Sequence, residues 1–172
     1  SERKRLVAYP ATKVALITSV ESAAYADYVK VTKARWPHMQ IDAYDVHVQG
    51  ASAPAQIAAR ILEINQSSDA YDAIVIIRGG GSVEDLSAFN DERVVRAISA
   101  SRLPTCVAIG HEVDESLSEL ACDLRASTPS NLAELMTPDR QAELMWLKSS
   151  SGHLATALAG SIIAAKNDLI QA

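Results

Sequence analysis

The sequence has few of the residues that support broad nucleic-acid binding. Aromatic residues make up 5% of the 172-residue chain, with a single phenylalanine. Lys and Arg number 16 against 21 Asp and Glu, so the formal net charge is −5. Because nonspecific affinity for nucleic acids rests on cations that neutralise phosphates, this balance argues against indiscriminate binding. Any nucleic-acid site must therefore be local.

Cysteines and long apolar runs are also scarce. Cys106 and Cys122 show neither CxxC nor metal-ligand spacing, so both are predicted to be small buried hydrophobes in a reducing compartment. No stretch approaches the roughly 20 apolar residues of a membrane span. The charged start, SERKRLVAYPATK, lacks the apolar segment of a signal peptide. We therefore expect a cytoplasmic protein with no membrane partner.

Short apolar runs alternate with segments of helical spacing. The runs lie at 13–19, 40–48, 73–77 and 104–110, and helical spacing is found at 22–35, 54–65, 91–101, 115–122 and 130–136. Run 73–77 is continuous and β-branched, which is typical of a parallel strand covered on both faces. This order predicts an α/β fold: a layered Rossmann-like or flavodoxin-like parallel sheet with flanking helices, of undetermined strand order.

The pattern changes from Asp139 onward. Apolar residues then recur at three-, four- or seven-residue steps, at Leu144, Leu147, Leu154, Leu158 and Ile162. This spacing predicts a long C-terminal helix that protrudes or pairs with a partner, weakened locally by the Ser149–Gly152 patch. We divide the sequence into a domain at 1–138 and the start of a helical region at 139–172.

The end of the third predicted strand carries the sequence RGGGSVED. Open parallel sheets bind ligands at the carboxyl ends of their strands. Three glycines let the backbone approach a ligand closely, and Ser82 with Asp85 fits a capping box whose N–H groups favour anions. Arg78 leaves an apolar strand and needs a carboxylate or a phosphate to meet. A tight turn with a structural Arg–Asp pair is the alternative.

The fourth predicted strand ends in GHEVD. His111 and Asp114, at positions i and i+3, can share one side of a turn, where the imidazole serves as acid or base or is purely structural. Zinc is not predicted, because HExxH and Cys-rich spacings are lacking. The other histidines, His38, His47 and His153, are interpreted as loop, strand and surface positions.

Two further segments contain polar residues that either stabilise the start of a helix or have a functional role. Asp27 lies early in the first predicted helix, capped by Ser19 or Ser22, where negative charge is favourable without any function. In DLRASTPS, the residues Arg125, Thr128 and Ser130 fit either a helix start or contacts to phosphate.

Together, RGGGSVEDLSAFN, GHEVD and DLRASTPSNLAEL resemble, in order and spacing, the large subunit of exodeoxyribonuclease VII. The resemblance runs from about Lys13 to Asp139. It implies an exonuclease that hydrolyses single-stranded DNA from either end into oligonucleotides, within a hetero-oligomer. It implies that the catalytic residues are Asp27, Arg78, His111 and Asp114. The sequence SVESAAYAD departs from the family's usual Thr-Gly-Ala-Ala form near Asp27, and Glu119 replaces a common Asp.

The resemblance also implies which partners bind and which parts of the protein bind them. Several copies of a small helical subunit would bind the C-terminal helical region, and an OB-fold domain outside this sequence would hold much of the DNA. No cofactor is expected to be obligatory, and Mg²⁺ is expected to stimulate. The predicted phosphate- or DNA-binding residues are Gly79, Gly80, Gly81, Ser82, Arg125, Thr128 and Ser130, with no metal ligands. The alternatives are a non-catalytic nucleotide- or phosphate-binding module and an interaction scaffold.

Overall fold

The first part of the chain is built on a parallel sheet. The computed structural model describes residues 4–79, 83–110 and 116–171, and it divides the chain into two units, with the boundary between Pro138 and Asp139. The strands are β1 (Lys13–Thr18), β2 (Gln40–Asp45), β3 (Ala73–Ile77), β4 (Thr105–Ala108) and β5 (Leu124–Arg125). The helices of this unit are α1 (Ala23–Arg35), α2 (Ala53–Gln66), the 3₁₀ helix η1 (Val83–Asn90), α3 (Glu92–Ala100), α4 (Leu117–Ala121) and α5 (Pro129–Met136).

The strand order is β2-β1-β3-β4-β5, and every neighbouring pair is parallel. This is the flavodoxin-like order, in which the chain reverses its direction across the sheet between β1 and β3. The predicted parallel α/β fold is confirmed, and the order selects one of the two classes that the sequence allowed. Ligands of such sheets bind at the reversal point, beyond the carboxyl ends of the strands.

Both faces of the three central strands, β1, β3 and β4, are buried, as the β-branched run in β3 indicated. Successive strand residues alternate between two apolar clusters, so Val75 packs on one face and Ile74 and Ile76 on the other. Helices α1 and α5 cover the Val75 face, and α2, α3 and α4 cover the opposite face. Full burial of each aliphatic side chain stabilises the fold by about 1.5–3 kcal/mol, so this three-layer core is the main source of stability.

Two aspartates join neighbouring strands at the amino edge of the sheet. Asp72, just before β3, accepts hydrogen bonds from the N–H groups of Thr12 (2.6 Å) and Lys13 (3.0 Å) at the start of β1. Asp123, just before β5, accepts from the N–H of Thr105 (2.7 Å), and its carboxylate also pairs with Arg5 Nε at 3.1 Å. Burial alone would raise the pKa of both carboxyls, but these hydrogen bonds outweigh it and lower the pKa.

Several element boundaries differ from the sequence prediction. Strand β2 ends at Asp45 instead of residue 48, and β4 spans Thr105–Ala108 instead of 104–110. Strand β5 has two residues and was not predicted, because so short a segment shows no periodicity. The predicted helix start at Ser82 lies outside the described residues, and Val83–Asn90 is a 3₁₀ helix. The two cysteines are fully buried, as predicted.

The second unit is a single helix, α6 (Arg140–Gln171), of 32 residues. It runs through the Ser149–Gly152 patch without a break, and the predicted long C-terminal helix is confirmed. Its large apolar side chains are exposed, among them Leu144, Trp146, Leu154, Leu158 and Ile162. Among the described residues, no helix is both long and apolar enough to cross a membrane.

We predict that Asp123→Asn lowers the free energy of unfolding by about 1–3 kcal/mol at neutral pH, because the amide cannot accept from the same set of donors. A lowered pKa means that the ionised carboxyl stabilises the fold above its ordinary pKa of 3.8 and that this contribution is lost as the pH falls through the lower folded value. The difference between wild type and variant should therefore shrink below that pH. Urea titrations at several pH values measure it.

Asp69→Asn is the matched control. The Asp69 side chain is half exposed and pairs with Lys13 at the surface, so its loss should change stability by less than about 1 kcal/mol. Equal effects of the two substitutions would contradict the importance of the buried carboxylate.

Candidate functional site at the carboxyl edge of the sheet

A cavity of about 280 Å³ lies at the carboxyl edge of the sheet, beyond the ends of β3 and β4. It is bordered by the first turns of α1 and α5 and by the residues that follow the two strands. The lining residues are Ala23, Ala24, Asp27, Arg78, Gly79, Ile109, Gly110, Ser127, Thr128, Pro129 and Ser130. Five residues predicted from the sequence are therefore brought together here: Asp27, Arg78, Gly79, Thr128 and Ser130.

The first turns of α1 place Asp27 at the cavity. Ser22 is the N-cap, and its hydroxyl accepts a hydrogen bond from the Tyr25 N–H (3.2 Å) while donating to the Ser19 carbonyl (2.6 Å). The exposed Asp27 side chain follows one turn later, on the cavity side. A helix provides no acceptor for its first N–H groups, so those of Ala23 and Ala24 are donors available at the cavity wall.

Arg78 and Gly79 leave the end of β3 together. The Arg78 N–H donates to the Ala108 carbonyl at 3.1 Å, which continues the β3–β4 pairing up to the point where the chain turns away. The Arg78 side chain is only 5% exposed, although it lines the cavity. A largely desolvated guanidinium interacts more strongly with an anion than one in bulk water does.

The first turn of α5 closes the opposite wall. Thr128 is the N-cap, and its hydroxyl accepts from the Asn131 N–H at 3.1 Å, so the capping interpretation is confirmed. Pro129 has no N–H, and the N–H of Ser130 has no acceptor within the helix. Two helix N-termini, each with a partial positive charge, therefore border the same cavity as a guanidinium. This arrangement suits a phosphate group, with Asp27 beside it as an acceptor for a proton.

Arg125 lies apart from this group. It belongs to β5, is absent from the cavity lining, and its Nε lies 3.8 Å from Glu119 Oε1. Glu119 is 2% exposed, and its other carboxylate oxygen accepts from the Ser116 N–H (2.9 Å) in the capping box of α4. The geometry thus directs the Arg125 guanidinium toward a buried carboxylate. A phosphate contact by Arg125 stays a prediction without support from the cavity.

Five predicted site residues lie outside the described residues: Gly80, Gly81, Ser82, His111 and Asp114. Their roles stay predictions. Gly110, the residue before His111 in the sequence, does line the cavity. Within the described ranges, no group of three or more His, Cys, Asp or Glu side chains is arranged to hold a metal ion.

A second cavity, of about 510 Å³, shares Ala23, Arg78 and Gly79 with the first. Its other lining residues are Ser19, Ser22, His47, Val48 and Gln49. The interpretation of His47 as a strand residue is wrong, since β2 ends at Asp45 and His47 belongs to the loop that follows. The Val46 N–H donates the last hydrogen bond to β1, and Val48 continues the apolar alternation past it, so the sequence pattern did not indicate this loop.

The fold and these cavities define a class: a flavodoxin-like α/β domain with two adjoining cavities at its strand-order reversal. The sequence model described as "Exonuclease VII, large subunit" matches residues 1–172. The chain is 46% identical over 152 residues, 88% of its length and 34% of the relative's, to "Exodeoxyribonuclease 7 large subunit" of Stenotrophomonas maltophilia (strain R551-3). It is 48% identical over 141 residues, 82% of its length and 32% of the relative's, to the same-named protein of Xanthomonas oryzae pv. oryzae (strain PXO99A).

The chain belongs to the exonuclease VII large subunit family. It spans about a third of the length of the curated relatives that it matches.

We predict that Gly79→Ala leaves the free energy of unfolding within about 1 kcal/mol of wild type, because its backbone φ is not in the left-handed region. A Cβ at this position would lie 3.6 Å from Ala24 Cβ, an ordinary contact. The same substitution at Gly50, whose φ is +85°, should cost about 1–2 kcal/mol although nothing lies within 4 Å of the new Cβ. Thermal unfolding of both variants measures the contrast.

A large loss of stability in Gly79→Ala would support the tight-turn interpretation of this glycine. Retained stability would leave close approach of a ligand as the reason for it.

Proposed function

We propose that this chain carries the hydrolytic site of an exonuclease that cleaves phosphodiester bonds of single-stranded DNA from either end into oligonucleotides. Its relatives are named exodeoxyribonuclease 7 large subunits, and the chain covers about a third of their length. The observation that supports the proposal most directly is the cavity that joins Asp27, Arg78 and two helix N-termini. Its donors match the oxygens of a phosphate, and its carboxylate can act on an attacking water.

The first role belongs to the donors. As water attacks phosphorus, negative charge grows on the non-bridging oxygens, and donors that are already fixed stabilise that charge without reorganising. Arg78 and the N–H groups of Ala24 and Ser130 supply such donors. Because Arg78 is nearly buried, its charge is only weakly screened by solvent, and its interaction with the developing charge is strengthened accordingly.

The second role is proton transfer. Asp27 orients the attacking water, or a cation, at the open side of the cavity. His111 is the general base toward water or the general acid toward the leaving oxygen, and Asp114 fixes its tautomer. These assignments for His111 and Asp114 rest on the family resemblance and on the place of Gly110 at the cavity wall.

The partners follow from the same proposal. Single-stranded DNA is the substrate, and several copies of a small helical subunit bind the C-terminal helical region. The exposed apolar side chains of α6 support that assignment, because a solvated helix with such a surface is typical of helix pairing. The net charge of −5 supports a further part of the proposal, that other parts of the large subunit supply most of the affinity for DNA.

We predict that Arg78→Ala lowers kcat on single-stranded DNA by about 10²–10³-fold in the assembled enzyme, because a fixed donor to the transition state is lost. Arg96→Ala is the control, since Arg96 is exposed on α3 and pairs with the equally exposed Glu92 one turn away. Release of acid-soluble nucleotides from labelled DNA measures both. His111→Ala should behave like Arg78→Ala, and full activity in either variant would overturn the assignment.

We further predict that the assembled enzyme retains most of its activity in excess EDTA and that Mg²⁺ stimulates it, because Arg78 and the helix N-termini supply the positive charge that a metal would otherwise provide. The measurement is the initial rate with EDTA and with graded Mg²⁺. Complete loss of activity in EDTA would identify a metal-dependent site instead.

A further inference from the structure

The second cavity is large enough for more than a phosphate group. Its volume of about 510 Å³ falls within the range of roughly 300–1,000 Å³ that small-molecule sites occupy. It lies over the ends of β1 and β2, whereas the cavity with Asp27 lies over β3 and β4. The two share the wall formed by Ala23, Arg78 and Gly79. A ligand group in one cavity is therefore adjacent to a ligand group in the other.

The loop after β2 presents two polar side chains to this cavity. Burial alternates along it, with Val46 and Val48 buried and His47 and Gln49 exposed. The chain then turns sharply at Gly50, whose φ of +85° is in the left-handed region. His47 and Gln49 thus project from the same side of a short extended segment.

The position of His47 is fixed by the first turn of α2. Ser52 is the N-cap of that helix, yet its hydroxyl makes no capping hydrogen bond and lies 3.3 Å from His47 Nδ1. The His47 backbone N–H donates to Gln56 Oε1 at 2.9 Å. With Nδ1 held by Ser52, Nε2 is the ring nitrogen that can meet a ligand. Ser52 thus contacts a side chain of the cavity instead of capping its own helix, and such exceptions to local sequence rules are typical of functional sites.

The lining has the chemistry of a nucleoside site. Among the described residues that border it, none is a carboxylate, and the charged group is the Arg78 guanidinium. Val48, Ala23 and Gly79 provide apolar surface, the His47 ring can stack on a base, and Gln49 can hydrogen-bond a base edge. A free phosphate alone would use little of this surface, whereas a base and its sugar use both kinds of group.

We propose that this second cavity binds the base and sugar of the nucleotide next to the scissile bond, with His47 and Gln49 as the contacting side chains. Arg78 then faces the reacting phosphate from one cavity and the bound nucleotide from the other. The inference rests on the proposed function, because it assigns a role to one end of the same substrate strand. It predicts that cleavage depends on a base at one position beside the bond that is cut.

The experiment uses the complete large subunit assembled with its small subunit. The variant is His47→Ala with Gln49→Ala, and the matched control is His38→Ala with Gln40→Ala, an exposed His–Gln pair of the same spacing at the amino end of β2. The substrate is end-labelled single-stranded DNA in which one abasic nucleotide is moved along the sequence. Gels resolve the cleaved bonds, and KM and kcat are measured on unmodified DNA.

In the wild-type enzyme and the control, an abasic nucleotide should reduce cleavage of one adjacent bond about tenfold, since a lost base contact has an effect of that order. In the His47/Gln49 variant this dependence should fall to within about twofold, and KM on unmodified DNA should rise about tenfold with little change in kcat. Equal unfolding midpoints of the two double variants exclude misfolding as the cause. If the midpoints differ, the single variant Gln49→Glu is measured in place of the His47/Gln49 double variant.

The outcomes separate the two proposals. In one outcome, wild type is active, Arg78→Ala is inactive, and the His47/Gln49 variant responds to the abasic nucleotide as wild type does. This outcome overturns the proposed subsite and leaves the proposed hydrolytic site standing. If wild type does not cleave DNA, or Arg78→Ala cleaves like wild type, the proposed function itself fails and the subsite fails with it.

Discussion

The burial of a parallel sheet on both faces is the constraint on which the other features depend. Helix α1 returns the chain along one face, whereas the connection after β3 runs along the opposite face through α3. The two connections therefore leave the sheet toward opposite faces at the point where β1 and β3 lie side by side. Arg78, Gly79 and the first turn of α1 border the cavities at that point because strand order leaves them there. The position of the cavities is thus set by the order of the strands, and the side chains determine only their lining.

Much of this arrangement could be predicted from sequence, and the failures have physical causes. The uninterrupted apolar run of β3 was predicted to the residue, because the charged residues Asp72 and Arg78 border it on both sides. Strand β2 was predicted too long, because Val48 remains buried beyond the last hydrogen bond to β1, which the Val46 N–H donates to the Thr18 carbonyl. Asp27, Arg78 and Thr128 share a cavity as strand-end reasoning implied. His47 was assigned to strand β2 instead of the loop after it, because a periodic pattern of apolar residues does not show where hydrogen bonding between strands ends.

The acidic composition and the anion-binding geometry are compatible because they arise from different groups. Formal charge counts side chains, whereas the first cavity is also bordered by the starts of α1 and α5, whose backbone N–H groups carry partial positive charge. Peptide dipoles contribute nothing to a net charge of −5. A domain can therefore be acidic overall and still present partial positive charge at one edge of its sheet.

The aspartate-linked amino edge and the cavity-bearing carboxyl edge are separated by the length of a strand. Strand β1 has six residues and so keeps the two edges about 17 Å apart. Substitutions at sites this distant usually combine additively, with little energetic coupling. Substitutions in the loops at the carboxyl edge are therefore expected to leave the strand pairing that Asp72 and Asp123 support unchanged. The hydrogen bonds that tie neighbouring strands through a carboxylate thus lie at one edge of the sheet, and the cavities lie at the other.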